Sequence, residues 1–433
     1  MSMWKKIGDR ETGRLCPNRF ENYVRCSRVS SLSLSHSKNI VSAHRGSVNS
    51  LQVDLTEGRY LLSGASDTSA VVYDIQQATD YEGSGLVAKH RPLLVALWYP
   101  IDTGVFITGS YDHFINVWDT NITQVIVNFK MPGKVYRTAM SSLTMSHMLI
   151  AAGTEDVQVR LCDIASGAFA HTLSDGMMTV EWSTSSEWVL MTGGCDGAIR
   201  FWTSDVLDAQ LGRHPTLLQR ATVNKASTLK SSSAGQSSSM KTRAPLRKIA
   251  NENVSKQLPF PRLLTQVKGY MKQRPHSGLL SCQDSATAHH GAVTGLKVTE
   301  DGMCLLSAGS DSRLKLWNVE SGFNTVVNFG TVRLQTGKMI QLVTTQDLSL
   351  VFVPCMTAVK AFNVLSGKTS MTFRGHHENV NCCWFSSQDQ ELYTGGNDRQ
   401  ILVWCPSKSF VDEEGKDTRK GQVHSVDEDN WSD

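Results

Sequence analysis

A block of residues recurs along this chain at an interval near 44, and a repeat of that length restricts the fold more than any bulk property does. Three copies open alike: AHRGSV from Ala43 to Val48, AHHGAV from Ala288 to Val293 and GHHENV from Gly375 to Val380. From His289 it is 18 residues to Ser307, 22 to Asp311 and 28 to Trp317, and from His376 the same steps reach Thr394, Asp398 and Trp404. His90 repeats them with Thr108, Asp112 and Trp118, and His44 does so one residue longer with Ser63, Asp67 and Tyr73.

These residue types can satisfy one another when buried. A turn Asp accepts from the imidazole, the imidazole bonds a Ser or Thr hydroxyl on an inner strand, and that hydroxyl reaches the indole N–H. Turn acids mark further units at Asp67, Asp112, Asp156, Asp196, Asp311 and Asp398, with intervals of 45, 44, 40, 115 and 87. The interval of 87 is two repeats, so a degenerate unit without its Asp lies over Ser349 to Val364, with Phe362 in the aromatic position. The interval of 115 is one repeat plus an insertion of roughly 70 residues. Units of short strands rich in Val, Ile, Leu and Phe, separated by turn signals, predict an all-β chain, a seven-bladed β-propeller of the WD40 type.

Three stretches fall outside the repeat. Residues 1–40 read as an N-terminal helical arm, with Pro17 opening a helix over PNRFENYVRCSR that gathers Phe20, Tyr23 and Val24 on one side. Blades one to four then occupy 41–204 and blades five to seven 286–410. Between them, 205–285 is expected to be a disordered, Ser-rich insertion: from Leu211 to Leu280 it holds thirteen Lys or Arg and one acid, Glu252. Its KTRAPLRK string, Lys241 to Lys248, reads as an import signal, a nucleic-acid contact or a solvated linker. The tail over 411–433 is acidic, with Asp427, Glu428 and Asp429 beside Trp431.

Several function classes lose their footing at this level. A His, Asp and hydroxyl trio repeated around a ring is a fastener rather than a catalytic triad, and no P-loop, GxSxG or HExxH string occurs. The ten cysteines form no CxxC pair, so neither a metal nor a cofactor is expected. No apolar stretch approaches the 18 residues of a membrane span, and the charged MSMWKKIGDRETG start lacks the apolar core of a secretory signal.

Several blade strings go beyond the generic repeat. EGRYLLSGASDTSAVVYD, WYPIDTGVFITGSYDHFINVWDTN, VQVRLCDIASG and NCCWFSSQDQELYTGGNDRQILVW resemble the Cockayne syndrome group A family of DNA repair factors, and the long basic insertion has the look of a plant member. The resemblance implies a nuclear, non-catalytic substrate receptor of a cullin-4 RING ubiquitin ligase, serving transcription-coupled nucleotide excision repair at stalled RNA polymerase II. It implies docking on the damaged-DNA-binding protein 1 adaptor through the arm and the adjoining propeller face. The arm maps to Met3 through Arg28, with Trp4, Ile7, Arg10 and Leu15 as the adaptor contacts. Two departures stand out. Blade four carries Ser174 where the family has its His, and Thr203-Ser204 follow Trp202 as though outer-strand residues were deleted. The Trp-Asp-x-Arg motif of many receptors for this adaptor is missing, Trp118-Asp119-Thr120-Asn121 lacking the Arg, so adaptor binding rests on the arm. Two other readings stay open: a WD40 scaffold unrelated to ubiquitin, and a propeller that binds DNA or chromatin directly through the basic insertion.

Overall fold

The computed structural model describes residues 3–76, 86–89, 93–143, 146–156, 158–174, 177–202, 269–270, 288–335 and 338–407. His90, most of the basic insertion with KTRAPLRK, and the acidic tail lie outside the described residues.

Seven antiparallel sheets follow one another along the chain and close into a ring. Their innermost strands are Val48–Val53, Leu93–Trp98, Val135–Met140, Met177–Trp182, Val293–Val298, Val343–Thr344 and Val380–Ser386. Each pairs with the next strand outward, so the turn between first and second strands emerges at one end of the ring. The turn between second and third emerges at the other. We call these ends the lower and upper faces. Apolar clusters lie between neighbouring blades rather than within them. One joins Leu306 and Leu316 of blade five to Val351 and Phe362 of blade six, and another joins Phe352 of blade six to Phe385 and Trp404 of blade seven. Each blade therefore buries its apolar faces only when both neighbours are present.

Polar bonds fix the stacking. Ala96 N donates to Ser50 Oγ at 2.8 Å and Trp98 N to Gln52 Oε1 at 2.8 Å, tying blade two to blade one, while Trp182 Nε1 donates to Ala139 O at 3.1 Å between blades four and three. Blade six, read from a stretch with neither Asp nor His in place, is a full four-stranded sheet. Its aromatic Phe362 packs edge-on against Phe329, ring centroids 6.1 Å apart, so a dry contact replaces the polar latch.

The strand pairing corrects one expectation and narrows another. The N-terminal region is not wholly an arm: Leu32–Leu34 pairs with Ile401–Pro406 and supplies the outer strand of blade seven. The third strand of that blade would otherwise leave its ladder groups unpaired, and borrowing a strand from the other end of the chain closes the ring. Blade four still has four strands, because Gly269–Tyr270 returns from the insertion to pair with Arg200 and Phe201, but its two outer strands are short, four residues over Ile199–Trp202 and two in the returning strand.

Candidate functional site

The latches read from the spacing come together in blades five and seven. Asp311 is held below the ordinary 3.8: burial alone would raise it, but the His289 bond, the imidazole and two backbone N–H groups outweigh burial. An ionised carboxylate only accepts, so His289 Nδ1 carries the proton, at 3.0 Å from Asp311 Oδ1. Nε2 then accepts from Ser307 Oγ at 2.7 Å, and Trp317 Nε1 donates to the same hydroxyl at 2.8 Å. Blade seven repeats the chain through His376, Asp398 (2.8 Å), Thr394 (2.8 Å) and Trp404 (3.0 Å).

Blade one rebuilds the latch. Ser69 joins it, its hydroxyl 2.9 Å from His44 Nδ1 and donating to Asp67 Oδ1 at 2.5 Å, while His44 Nε2 lies 2.7 Å from Ser63 Oγ. Tyr73 turns its phenol oxygen to Ala43 N at 3.1 Å. In blade two Trp118 Nε1 donates to Thr108 Oγ1 at 2.8 Å and the Ser110 hydroxyl donates to Asp112.

Blades three and four use another donor, which the spacing did not reveal. Arg160 sits four residues after Asp156, its Nη2 2.5 Å from Oδ2, and Arg200 stands in the same place after Asp196, Nη2 to Oδ2 2.6 Å. Trp202 still reaches Thr192 Oγ1 at 2.9 Å. The missing imidazole of blade four is thus replaced by a guanidinium from its own third strand, which explains how that blade holds together. A cation four residues after each turn acid, at 160 and 200, was the available signal. Lys315 of blade five occupies that position too, and donates instead to Ala288 O at 2.6 Å.

All these latches face the upper end of the ring, and the arm lies at the lower end. Helix α1 spans Met3–Glu11 and α2 spans Pro17–Ser30. The arm holds itself together by cations over rings, with Lys6 Nζ 2.6 Å from the Tyr23 centroid and Arg10 Cζ 5.0 Å from that of Phe20. It meets the propeller through the lower turns of blades six and seven. Arg25 Nη1 donates to Gln346 Oε1 at 3.2 Å, Arg28 Nη2 to Asp389 O at 2.9 Å, and Cys26 Sγ to Asp347 Oδ2 at 3.3 Å. Val29 is buried with Leu32 among Leu350, Phe352 and Phe385.

Of the four arm positions singled out, Trp4 is 70% exposed, Arg10 is exposed, and Ile7 and Leu15 are half-buried. Apolar tips continue the exposed surface around the lower face, where Leu55, Ile101, Leu143 and Met303 are each 42% exposed or more. Among the described residues, the first-to-second turns carry acids in six blades, at Glu57, Asp102, Glu187, Glu300, Asp347 and Asp389. Their one cation, Arg59, is paired to Asp74 at 2.6 Å. The arm contributes Lys5, Lys6, Arg14 and Arg19, so its charge complements the face it lies on. At the centre a cavity of about 280 Å³ opens, lined by Trp98, Gln341, Arg137, Glu181 and Lys297, with Lys297 Nζ 3.1 Å from Glu181 Oε1. Among the described residues no cluster of His, Cys, Asp and Glu could hold a metal ion, and no helix is long and apolar enough to cross a membrane.

Ring, latches and lower-face arm define a WD40-repeat propeller, and the family model for the WD domain, G-beta repeat, matches residues 167–203, 280–318 and 367–405. The WD repeat-containing protein ATCSA-1 of Arabidopsis thaliana is 57% identical over 459 residues, covering 100% of both chains. More distant likeness is partial. The ribosome biogenesis protein WDR12 homolog of Drosophila erecta is 25% identical over 38% of this chain and 42% of its own. Radiation-sensitive protein 28 of Saccharomyces cerevisiae is 24% identical over 33% and 29%. The chain belongs to the Cockayne syndrome group A family of WD-repeat, repair-related proteins. Propellers of this kind typically serve as non-catalytic scaffolds or receptors.

Proposed function

We propose that the chain is the substrate-recognition subunit of a cullin-4 RING ubiquitin ligase, acting in the nucleus in transcription-coupled nucleotide excision repair. The observation that supports this reading is the two-helix arm, tied by Arg25, Arg28 and Val29 to the lower face and presenting an exposed Trp4 beside apolar turn tips. A large aromatic left in water on an otherwise charged helix is the commonest kind of binding anchor. The damaged-DNA-binding protein 1 adaptor is the partner assigned to this surface, with Trp4, Ile7, Arg10 and Leu15 at the contact. The upper face is left to a substrate at stalled RNA polymerase II, and the rate gain is one of proximity to the ubiquitin-charged partner.

Co-purification of full-length protein with adaptor and cullin tests the reading. A stable complex is expected, lost when residues 1–28 are removed. That cut spares Val29 and the ring-closing strand Leu32–Leu34, so loss of binding is not loss of fold. A folded chain that ignores the adaptor would leave a WD40 scaffold unrelated to ubiquitin. Strongly salt-dependent DNA binding that vanishes without residues 205–265, a cut that spares the blade-four strand Gly269–Tyr270, would instead favour the direct DNA-binding reading.

A further inference from the structure

Blade six differs from the other six blades on the upper face, where each of the others turns between its second and third strands on an Asp. Blade six turns on Met356, which has a left-handed backbone (φ 52°) and is 42% exposed. Its carbonyl accepts from Val380 N of blade seven at 2.7 Å, so the turn is anchored while the thioether projects outward.

Cations lie on the strands and loops beside it. Arg374 pairs in register with Ala358, the residue that ends the turn, and the backbone N–H of Arg333 meets the Cys355 thiol that begins it. Lys360 Nζ donates to Thr331 O at 2.9 Å, and Lys338 Nζ donates to Asn397 Oδ1 at 2.9 Å on the blade-seven side. Among the described residues Arg333 and Arg374 are exposed and in no ion pair. Elsewhere on this face the backbone of each exposed arginine lies beside a latch carboxylate: Arg45 N donates to Asp67 Oδ2 at 2.6 Å, Arg313 N to Asp311 Oδ1 at 3.2 Å, and Arg399 directly follows Asp398. The field on the upper face thus turns positive locally at blade six, around an apolar and adaptable side chain.

We propose that this turn is a docking site for an acidic polypeptide segment in which a bulky apolar residue is flanked by carboxylates. The apolar residue packs on Met356 while Arg333 and Arg374 receive the carboxylates as forks, the geometry that suits guanidinium best. A nucleic acid fits less well, since among the described residues the patch offers no exposed aromatic ring for a base to stack on. The inference holds whether or not the chain serves a ligase, because it rests on the upper face alone.

The test is fluorescence anisotropy of the full chain with a labelled Asp-Glu-Asp-Trp-Asp-Glu-Asp peptide. Binding is expected to weaken about tenfold in R333E/R374E and in M356D, to survive in M356L, and to fall as salt rises from low to physiological strength. Unchanged melting temperatures keep the loss from being one of folding. R45E/R313E, a reversal at two latched turns, should bind within about twofold of the parent. Tighter binding by a chain lacking residues 408–433 would also support the site, with the chain's own acidic tail as a competing occupant. No binding of the peptide by either the full chain or the chain lacking residues 408–433, equal losses at both pairs of arginines, or stronger binding of single-stranded DNA that the same substitutions abolish would each overturn the proposal.

Discussion

The two faces of the ring are built by different chemistry although both are rows of hairpin turns. On the upper face almost every turn acid is turned inward, accepting from an imidazole, a guanidinium, a hydroxyl or the backbone, and holds its own blade together. On the lower face several acids cap their own turns, as Asp54 does by accepting from the backbone N–H groups of Glu57, Gly58, Arg59 and Tyr60, while apolar tips and a basic helical arm are left at the surface. Outside blade six the upper turns are therefore occupied with stability, and the lower face carries free apolar and aromatic surface that a partner can bury. Disturbing the first should change folding and spare docking. Disturbing the second should do the reverse.

The largest effect is expected on the upper face. His376→Ala leaves Asp398 and the Thr394 hydroxyl without their buried link, and should cost about 3 kcal/mol in denaturant unfolding with adaptor affinity unchanged. Arg200→Ala should cost less, roughly 1–2 kcal/mol, because the Asp196 side chain is 45% exposed and water replaces part of the lost bond. Trp4→Ala should leave unfolding unaltered and weaken adaptor binding about tenfold, near 1.4 kcal/mol. A variant that lost both together would show that the arm and the ring are one cooperative unit.

Acid sharpens the contrast within the upper face. Burial holds His289 and His376 below their ordinary 6.5, with Asp311 and Asp398 pulling weakly the other way, so both rings are neutral when folded. The unfolded chain takes up those protons first. The stability from these latches is complete above about pH 6.5 and erodes as the pH falls below it. Asp156 and Asp196 behave otherwise: burial alone would raise them, but the bonds from Arg160 and Arg200 outweigh it and hold both below 3.8. Their contribution is kept down to about pH 4 and lost only as the pH drops further. Amide exchange at pH 5.5 should accordingly speed up in the second strands of blades five and seven before those of blades three and four. The smallest expected effect is Ser69→Ala, about 0.5–1 kcal/mol, since it removes the hydroxyl between His44 and Asp67 while Arg45 N still holds the carboxylate.

What could be read in the chain beforehand followed from periodicity. Spacings of 18, 22 and 28 residues placed the latches of blades five and seven because each member lies at a fixed step along one hairpin, and Phe362 marked the degenerate blade by the same ruler. The Arg latches escaped because the replacement donor comes from a different strand than the His it replaces. Ring closure by Leu32–Leu34 escaped for a different reason: a three-residue strand has no period of its own, and its partner Trp404–Pro406 lies at the far end of the chain. The chemistry of the lower face was legible only through resemblance, since charge segregation between the ends of a ring appears once the strands are folded and alternate turns are sorted to opposite sides.

Hydrogen exchange of the full chain, alone and with the damaged-DNA-binding protein 1 adaptor, tests the division between faces most directly. Protection is predicted over Met3–Glu11, Pro17–Ser30 and the lower turns around Leu55 and Ile101, with no change at the upper turns around Asp311 and Met356. Protection confined to the upper turns, with the arm exchanging as it does in the free chain, would contradict the account.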